Sequence, residues 1–172
     1  MQERRLILGL DPGSRFTGFG VIGMTGEQID YVDHGVFKLP EKALLGERLR
    51  QLYQHLESLF VRYKASFVAI EKIFIGKNAD SAFKLGHARG VCMLVAAQNQ
   101  AMIVEYASRY VKKCIVGNGS AEKEHLRAVV CNLLQLKSAV SLDASDALAL
   151  ALTHSRDFAA QNIIARAQGL SL

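Results

Sequence analysis

The sequence predicts an α/β fold with a mixed sheet, in which three antiparallel hairpin strands are followed by parallel strands and helices cover both faces. Three observations lead to this prediction. Short apolar runs separated by turn residues occupy the first 38 positions. From residue 43 onward the apolar spacing becomes that of an amphipathic helix, and apolar runs then alternate with helical segments. Alternation of this kind favours a sheet packed between helices.

The first three strands are predicted from apolar runs with breakers between them. Residues 4–10 lead to Asp11, where a Pro-Gly-Ser turn follows. Thr17–Met24 forms the second predicted strand and Gln28–Lys38 the third. The gaps between them are short, so we expect antiparallel hairpins.

In chain order, the remaining predicted elements are a helix over Ala43–Tyr63, a strand over Ser66–Glu71, a helix over 79–98, a strand over Met102–Glu105, a helix over Ser120–Leu136 and a final helix beginning with Asp143–Ser155. The strand before Glu71 is continuously apolar, as expected in a sheet interior covered on both faces. This order of elements is that of a ribonuclease-H-like α/β domain. We expect residues 1–172 to form one such domain, with a polar terminal helix or tail after about residue 156.

Composition narrows the class of protein. Half of the 172 residues are hydrophobic and 22% are charged, which is typical of a globular protein. We find neither a signal peptide nor an apolar run of about 18 residues, so we expect a cytoplasmic protein. Cys92, Cys114 and Cys131 lack CxxC spacing, which favours reduced core thiols over a zinc site or disulfides.

The charge distribution indicates a polyanionic partner. The net charge is +5, and basic residues concentrate in two groups. One group contains Arg109, Lys112, Lys113, Lys123 and Arg127, and the other contains Lys77, Lys84, His87 and Arg89. Contact with nucleic-acid phosphates is one interpretation, and solvated helix faces are the alternative for any single residue.

Four carboxylates stand where elements end or begin. Asp11 and Glu71 each end a predicted strand, and Asp143 and Asp146 are spaced i, i+3 at the start of an apolar helix. Each has a simpler alternative: a turn cap for Asp11, an emerging strand end for Glu71, and helix-dipole preference for the aspartate pair. Together they could converge into one acidic cluster, which would repel itself without divalent cations.

All-oxygen ligands favour magnesium or manganese over zinc. A two-metal site of this type would hydrolyse phosphodiesters.

Several ordered sequence blocks resemble the RuvC family of bacterial Holliday-junction resolvases. These blocks are Ile7–Arg15 with Thr17–Gly20, Ala69–Phe74, Lys77–Ala82 with Leu85–Gly90, Val116–Lys123 and Asp143–Ala149. Their common order over most of the chain makes the resemblance specific. Lys72 and His87 depart from the family, where glutamine is common at both positions, and neither belongs to the carboxylate set.

The resemblance implies a magnesium-dependent endonuclease that resolves four-way DNA junctions as a homodimer, with symmetric nicks and 5′-phosphate products. It assigns catalysis and metal binding to Asp11, Glu71, Asp143 and Asp146, with two ions expected per site and manganese as a substitute. It also implies a branch-migration helicase complex of the RuvA and RuvB type as a partner.

Predicted DNA contacts accompany this assignment. The resemblance gives DNA contact to Lys112 and Lys123 and junction opening to Phe74, for which packing inside the protein is the alternative. Lys113 and Arg89, from the two basic groups, are added as backbone contacts. The apolar helix over residues 78–98 is either the dimer interface or a buried core helix.

Two other classes of function are alternatives to a junction-cleaving nuclease. Acid-plus-glycine turns after a first strand also open actin-like ATPases and sugar kinases, but these need two such domains and a second phosphate loop. A junction-binding module without cleavage is the other alternative. The four acids argue against it, because negative charge weakens DNA binding.

Overall fold

The computed structural model describes residues 3–72, 79–138 and 140–168. Its strands are β1 (Arg5–Asp11), β2 (Phe16–Thr25), β3 (Gln28–Lys38), β4 (Phe67–Glu71) and β5 (Met102–Tyr106). Its helices are α1 (Leu45–Tyr63), α2 (Ala79–Gln98), α3 (Ser108–Val116), α4 (Lys123–Leu133) and α5 (Leu142–Ala167).

The strands form a sheet in the order β3-β2-β1-β4-β5. The first three strands are antiparallel neighbours, whereas β4 runs parallel to β1 and β5 runs parallel to β4. The predicted mixed sheet, with hairpin strands first and parallel strands after them, is therefore confirmed.

Two hydrophobic cores lie on opposite faces of this sheet. Along β1, Ile7 belongs to the core that includes residues of α3, α4 and α5. Leu8 and Leu10 belong to the other core, with residues of α1 and α2. Successive residues of a strand point to opposite faces, so the apolar β1 serves both cores and is buried on both sides.

Helix α5 crosses the sheet over three glycines, Gly9, Gly18 and Gly20, which we call the glycine lane. A methyl group on Gly9 would lie 1.9 Å from the carbonyl oxygen of Ala147, and one on Gly18 would lie 2.1 Å from that of Asp143. A side chain at either position would therefore collide with the helix backbone. The lane allows α5 to approach β1 and β2 with backbone nearly touching backbone.

Helix α3 was not predicted from the sequence. It is only nine residues long, and its two buried residues, Val111 and Ile115, give a weak periodic signal among basic residues. Gly117 ends it in the left-handed conformation with φ 83°.

The last two helices differ from their predicted bounds. The helix predicted from Ser120 begins at Lys123, because Asn118 Oδ1 accepts hydrogen bonds from the Ser120 amide and hydroxyl in the preceding turn. It ends at Leu133, three residues earlier than predicted. Helix α5 continues through the polar segment to Ala167.

Candidate active site

Two predicted site residues lie side by side at one edge of the sheet. Strands β1 and β4 are parallel neighbours, with Leu10 paired to Ile70. The next residue of each strand is Asp11 and Glu71, respectively, so both carboxylates emerge at the same edge. Each acid is therefore the last residue of a buried strand, where its side chain is partly buried and also borders a cleft.

The glycine lane brings the other two acids to that edge. Gly18 pairs with Asp11 across β1 and β2, and the backbone of Asp143 lies directly against Gly18. The start of α5 is therefore fixed next to the end of β1. Asp146 follows one helical turn later on the same side of the helix.

Most of the predicted site residues line one cleft at this edge of the sheet. Its lining residues are Asp11, Glu71, Ser108, Val111, Lys112, Lys123, Leu126, Asp146 and Leu150. Asp143 does not line the cleft, but its charge acts on both Asp11 and Lys123. Three of the four predicted acids thus share one cleft wall, and the fourth lies within electrostatic reach.

The electrostatics of Asp11 indicate a shortage of positive charge. Burial, followed by repulsion from Asp146 and Glu71, raises the pKa of Asp11 from 3.8 to about 7, although Lys123 opposes the rise. Burial also raises the pKa of Glu71, and a hydrogen bond from Ser108 partly offsets that effect. The cluster is therefore costly to ionise fully without an added cation.

Lys123 provides the direct counter-charge. It is the first residue of α4, and its Nζ donates to Asp146 Oδ2 at 2.8 Å. That hydrogen bond raises the pKa of Lys123, with further contributions from Asp11 and Asp143. Lys112, on α3, lines the same cleft and lowers the pKa of Glu71.

The donor set fits a hard divalent cation. The carboxylates supply only oxygen ligands, and burial together with the neighbouring acids, which raise the pKa of Asp11, favours an added positive charge there. In the described ranges, no three His, Cys, Asp or Glu side chains are already close enough together to form a metal centre. Instead, one oxygen of Asp146 is engaged by Lys123. A cation bound by that oxygen would compete with Lys123 for it.

The five predicted DNA-contact residues differ in where they lie. Lys112 and Lys123 line the cleft, whereas Lys113 is exposed on α3 and is not among the lining residues. Arg89 is turned into the protein and bonds to the Glu71 carbonyl oxygen. Phe74 lies outside the described residues. The DNA-contact roles of all five stay predictions.

Ser108 is a site residue that the sequence analysis missed. Because β4 and β5 are parallel and Glu71 pairs with Tyr106, the segment after β5 reaches the same sheet edge. Ser108 begins α3 there, and its side chain hydrogen-bonds to Glu71. The only sequence signal for this role was that Ser108 lies two residues beyond the end of β5. That position points to the site only when β5 is known to lie beside β4.

None of the helices in the described part of the chain has both the length and the apolar character required to span a bilayer.

Comparisons with known proteins agree with this architecture. A family model for crossover junction endodeoxyribonuclease RuvC matches residues 7–154. The RuvC protein of Bdellovibrio bacteriovorus is 46% identical over 165 residues, covering 96% of this chain and 98% of that protein. A RuvC protein of Legionella pneumophila (strain Corby) is 47% identical over 150 residues, covering 87% of this chain and 86% of that protein.

A solved structure provides an independent comparison. T. thermophilus RuvC in complex with Holliday junction substrate has a TM-score of 0.85 at 27% identity, covering 91% of this chain and 96% of that one. The predicted ribonuclease-H-like fold and the predicted family are both confirmed. The chain belongs to the RuvC family of crossover junction endodeoxyribonucleases.

Proposed function

We propose that this protein resolves four-way DNA junctions by paired metal-dependent nicks, with Asp11, Glu71, Asp143 and Asp146 as the metal ligands. The observation that carries the proposal is the cleft in which Asp11, Glu71 and Asp146 face Lys112 and Lys123. Acids able to hold cations and lysines able to hold phosphate occur there within one concave surface. This combination suits hydrolysis of a phosphodiester backbone.

Each side chain has a distinct task in this proposal. Asp11 is the most central ligand, since the charges of the other three acids all act on it. Ser108 orients Glu71 through its hydrogen bond. Two bound magnesium or manganese ions would supply an activated water and stabilise the leaving 3′ oxygen. Lys112 and Lys123 hold the phosphate backbone without reading base sequence.

The test of the proposal is a nicking assay on a synthetic junction with labelled strands. We expect symmetric nicks with 5′-phosphate ends in magnesium or manganese. We expect binding without cleavage in calcium, whose longer bonds and looser coordination spoil the in-line geometry. A linear duplex of the same sequence is the control. Full activity in excess chelator, or equal cleavage of the linear duplex, would contradict the proposal.

The two cleft lysines can be tested by salt dependence. Lys112→Ala and Lys123→Ala should each weaken junction binding and reduce the log–log salt slope by about one unit per lost phosphate contact. Lys42→Ala is the comparison, because Lys42 is exposed, belongs to neither basic group and does not line the cleft. Binding isotherms at several salt concentrations measure the slope. Unchanged slopes in both cleft variants would leave these lysines as solvated surface residues.

We propose that α2 provides the homodimer interface. An apolar groove along this helix is lined by Leu49, Ala82, Phe83, Gly86, His87, Gly90, Val91 and Leu94. Phe83 is 70% exposed and Leu94 is 52% exposed, and both line this groove, so together they form part of one apolar patch. A two-fold dimer would present two identical clefts to the two symmetry-related strands of a junction.

The dimer proposal predicts a change in mass on substitution. Phe83→Asp should shift sedimentation from dimer to monomer, because it introduces a charge into the apolar groove. Val61→Asp is the control, since Val61 is 78% exposed on α1 and lies outside the groove. A Phe83→Asp protein that remains dimeric would exclude the α2 interface.

The remaining family implications are also kept as proposals. Residues 1–172 form one nuclease domain, supported by the single sheet that carries both hydrophobic cores. A branch-migration helicase complex of the RuvA and RuvB type is the proposed partner, and the cytoplasm, where such a partner would act, is the proposed location.

A further inference from the structure

Arg89 lies on α2, but its guanidinium is directed into the protein toward the catalytic edge of the sheet. Its Nε donates to the backbone carbonyl oxygen of Glu71 at 3.1 Å. One terminal nitrogen forms an ion pair with Glu105 on β5, and the other lies 3.1 Å from the sulfur of Met93. The Arg89 side chain is only 16% exposed. All three of its nitrogens therefore have partners within the protein.

This arrangement gives Arg89 a different role from the DNA contact predicted from the sequence. To bind a backbone phosphate, the guanidinium would have to leave Glu105 and the Glu71 carbonyl. Leaving them would break the ion pair and the hydrogen bond that hold a guanidinium only 16% exposed, although Glu105 itself is 39% exposed. The planar fork of arginine suits it to hold two acceptors at fixed angles.

The Glu71 carbonyl lies at a point where the sheet ladder ends. The Lys72 amide donates to the Tyr106 carbonyl at 2.9 Å, continuing the contact of β4 with β5 by one residue. Arg89 then fixes the peptide group of Glu71 itself. Because that peptide group and the Glu71 side chain share one Cα atom, its tilt sets the position of the carboxylate in the cleft. Misplacement of a reacting group by about 1 Å can reduce a rate 10²-fold.

We propose that Arg89 is a positioning residue that anchors the strand end carrying Glu71 to α2 and β5 and thereby fixes the Glu71 carboxylate relative to Asp11. The inference rests on the proposed function, because that function gives Glu71 its chemical role. Arg89 acts through Glu71 and touches neither DNA nor metal. Glu105 is the anchor that holds the guanidinium in place from the neighbouring strand.

The test uses Arg89→Lys in the full-length protein. Lysine keeps the positive charge but cannot reach both oxygen acceptors with a rigid fork. We expect the single-turnover nicking rate to fall about 10- to 100-fold. The junction Kd and its salt slope should stay unchanged, since no phosphate contact is lost. The manganese concentration that half-saturates the protein, measured by calorimetry without DNA, should rise several-fold.

Two further variants make the result specific. Glu105→Gln keeps a hydrogen-bond acceptor but weakens the anchor, so it should lower the nicking rate in the same direction and by less. Arg50→Lys is the matched control, because Arg50 lies on α1, forms an exposed ion pair with Glu47 and belongs to neither basic group. It should leave the nicking rate and manganese binding unchanged. Melting curves establish that each variant is folded, and Glu105→Gln decides the matter if Arg89→Lys is not.

Other outcomes would contradict the positioning role of Arg89 or the proposed function. A normal nicking rate with normal manganese binding in Arg89→Lys, or in Glu105→Gln where the first variant does not fold, overturns the proposal. A weaker Kd with a salt slope reduced by about one unit shows that Arg89 contacts DNA instead. A wild-type protein that cuts no junctions refutes the proposed function, whereas a wild type that cuts beside a fully active Arg89→Lys refutes only the positioning role.

Discussion

Asp11→Asn is expected to reduce junction cleavage by about 10³-fold or more, while junction binding is retained or becomes tighter. The change removes the carboxylate on which the charges of the three other acids converge. It also removes one negative charge from a surface that must accept a phosphate backbone. Glu71→Gln, Asp143→Asn and Asp146→Asn should behave in the same way. Single-turnover nicking and equilibrium binding of the same labelled junction measure the two effects separately.

Stability measurements show whether the Asp11→Asn protein is folded and whether the ionised Asp11 carboxylate destabilises the folded protein. The folded-state pKa of Asp11 is raised from 3.8 to about 7, so the folded protein holds this proton more tightly than the unfolded chain does. The wild-type protein in chelator should therefore lose stability as the pH rises from about 4 through 7.

Asparagine does not ionise, so the stability of the variant relative to wild type should increase between pH 5 and pH 8 by about 2–3 kcal/mol. Substantial nicking by any two of the four variants would refute the assignment of the acids. A relative stability that does not change with pH would refute the electrostatic account of Asp11.

Gly9→Ala should be among the most damaging substitutions of one small residue for another in this protein. The added methyl group would lie 1.9 Å from the Ala147 carbonyl oxygen and 3.0 Å from the Ala151 amide nitrogen. Both are backbone atoms of α5, so no side-chain rotation can relieve the collision. Either the helix must move away from the sheet or the strand must bend, which we expect to cost about 3 kcal/mol or more.

Chemical denaturation of the variant measures this loss directly. Gly46→Ala is the matched control, because a methyl group at Gly46 meets no atom within 4 Å and the residue lies in α1. That control should be neutral or stabilised by up to about 1 kcal/mol, since alanine has the higher helix propensity. If Gly9→Ala unfolds at the same denaturant concentration as wild type, α5 does not rest on the sheet through the glycine lane.

The ends of β1 and β4 could be predicted from the sequence because both strands are strongly apolar and stop at a carboxylate. The sequence predicted that Asp11 and Glu71 could converge, but the parallel pairing of β1 with β4 that brings them together is seen only in the sheet. The i, i+3 spacing of Asp143 and Asp146 placed them together on α5. These inferences needed only local periodicity and the general behaviour of sheets.

Other features depend on contacts between segments far apart in the chain. The glycines of the lane fall within predicted strands, but their common contact with α5 is seen only when the helix lies on the sheet. The inward direction of Arg89 was missed, because a basic residue near other basic residues resembles a solvated surface until Glu105 is located beside it. Helix α3 was missed because nine residues with two buried positions carry little periodic information.

The glycine lane also has a consequence for the order in which the protein is made. Asp11 leaves the ribosome long before Asp143 and Asp146, which belong to α5, the last helix in the described part of the chain. A nascent chain that has reached residue 138 already contains the sheet strands and two of the four acids. It has no helix to place on Gly9 and Gly18. Contacts between segments this distant in sequence form late, because a long loop must first close. The four acids that we propose as metal ligands can therefore come together only after the start of α5 has been synthesised and has packed on the sheet.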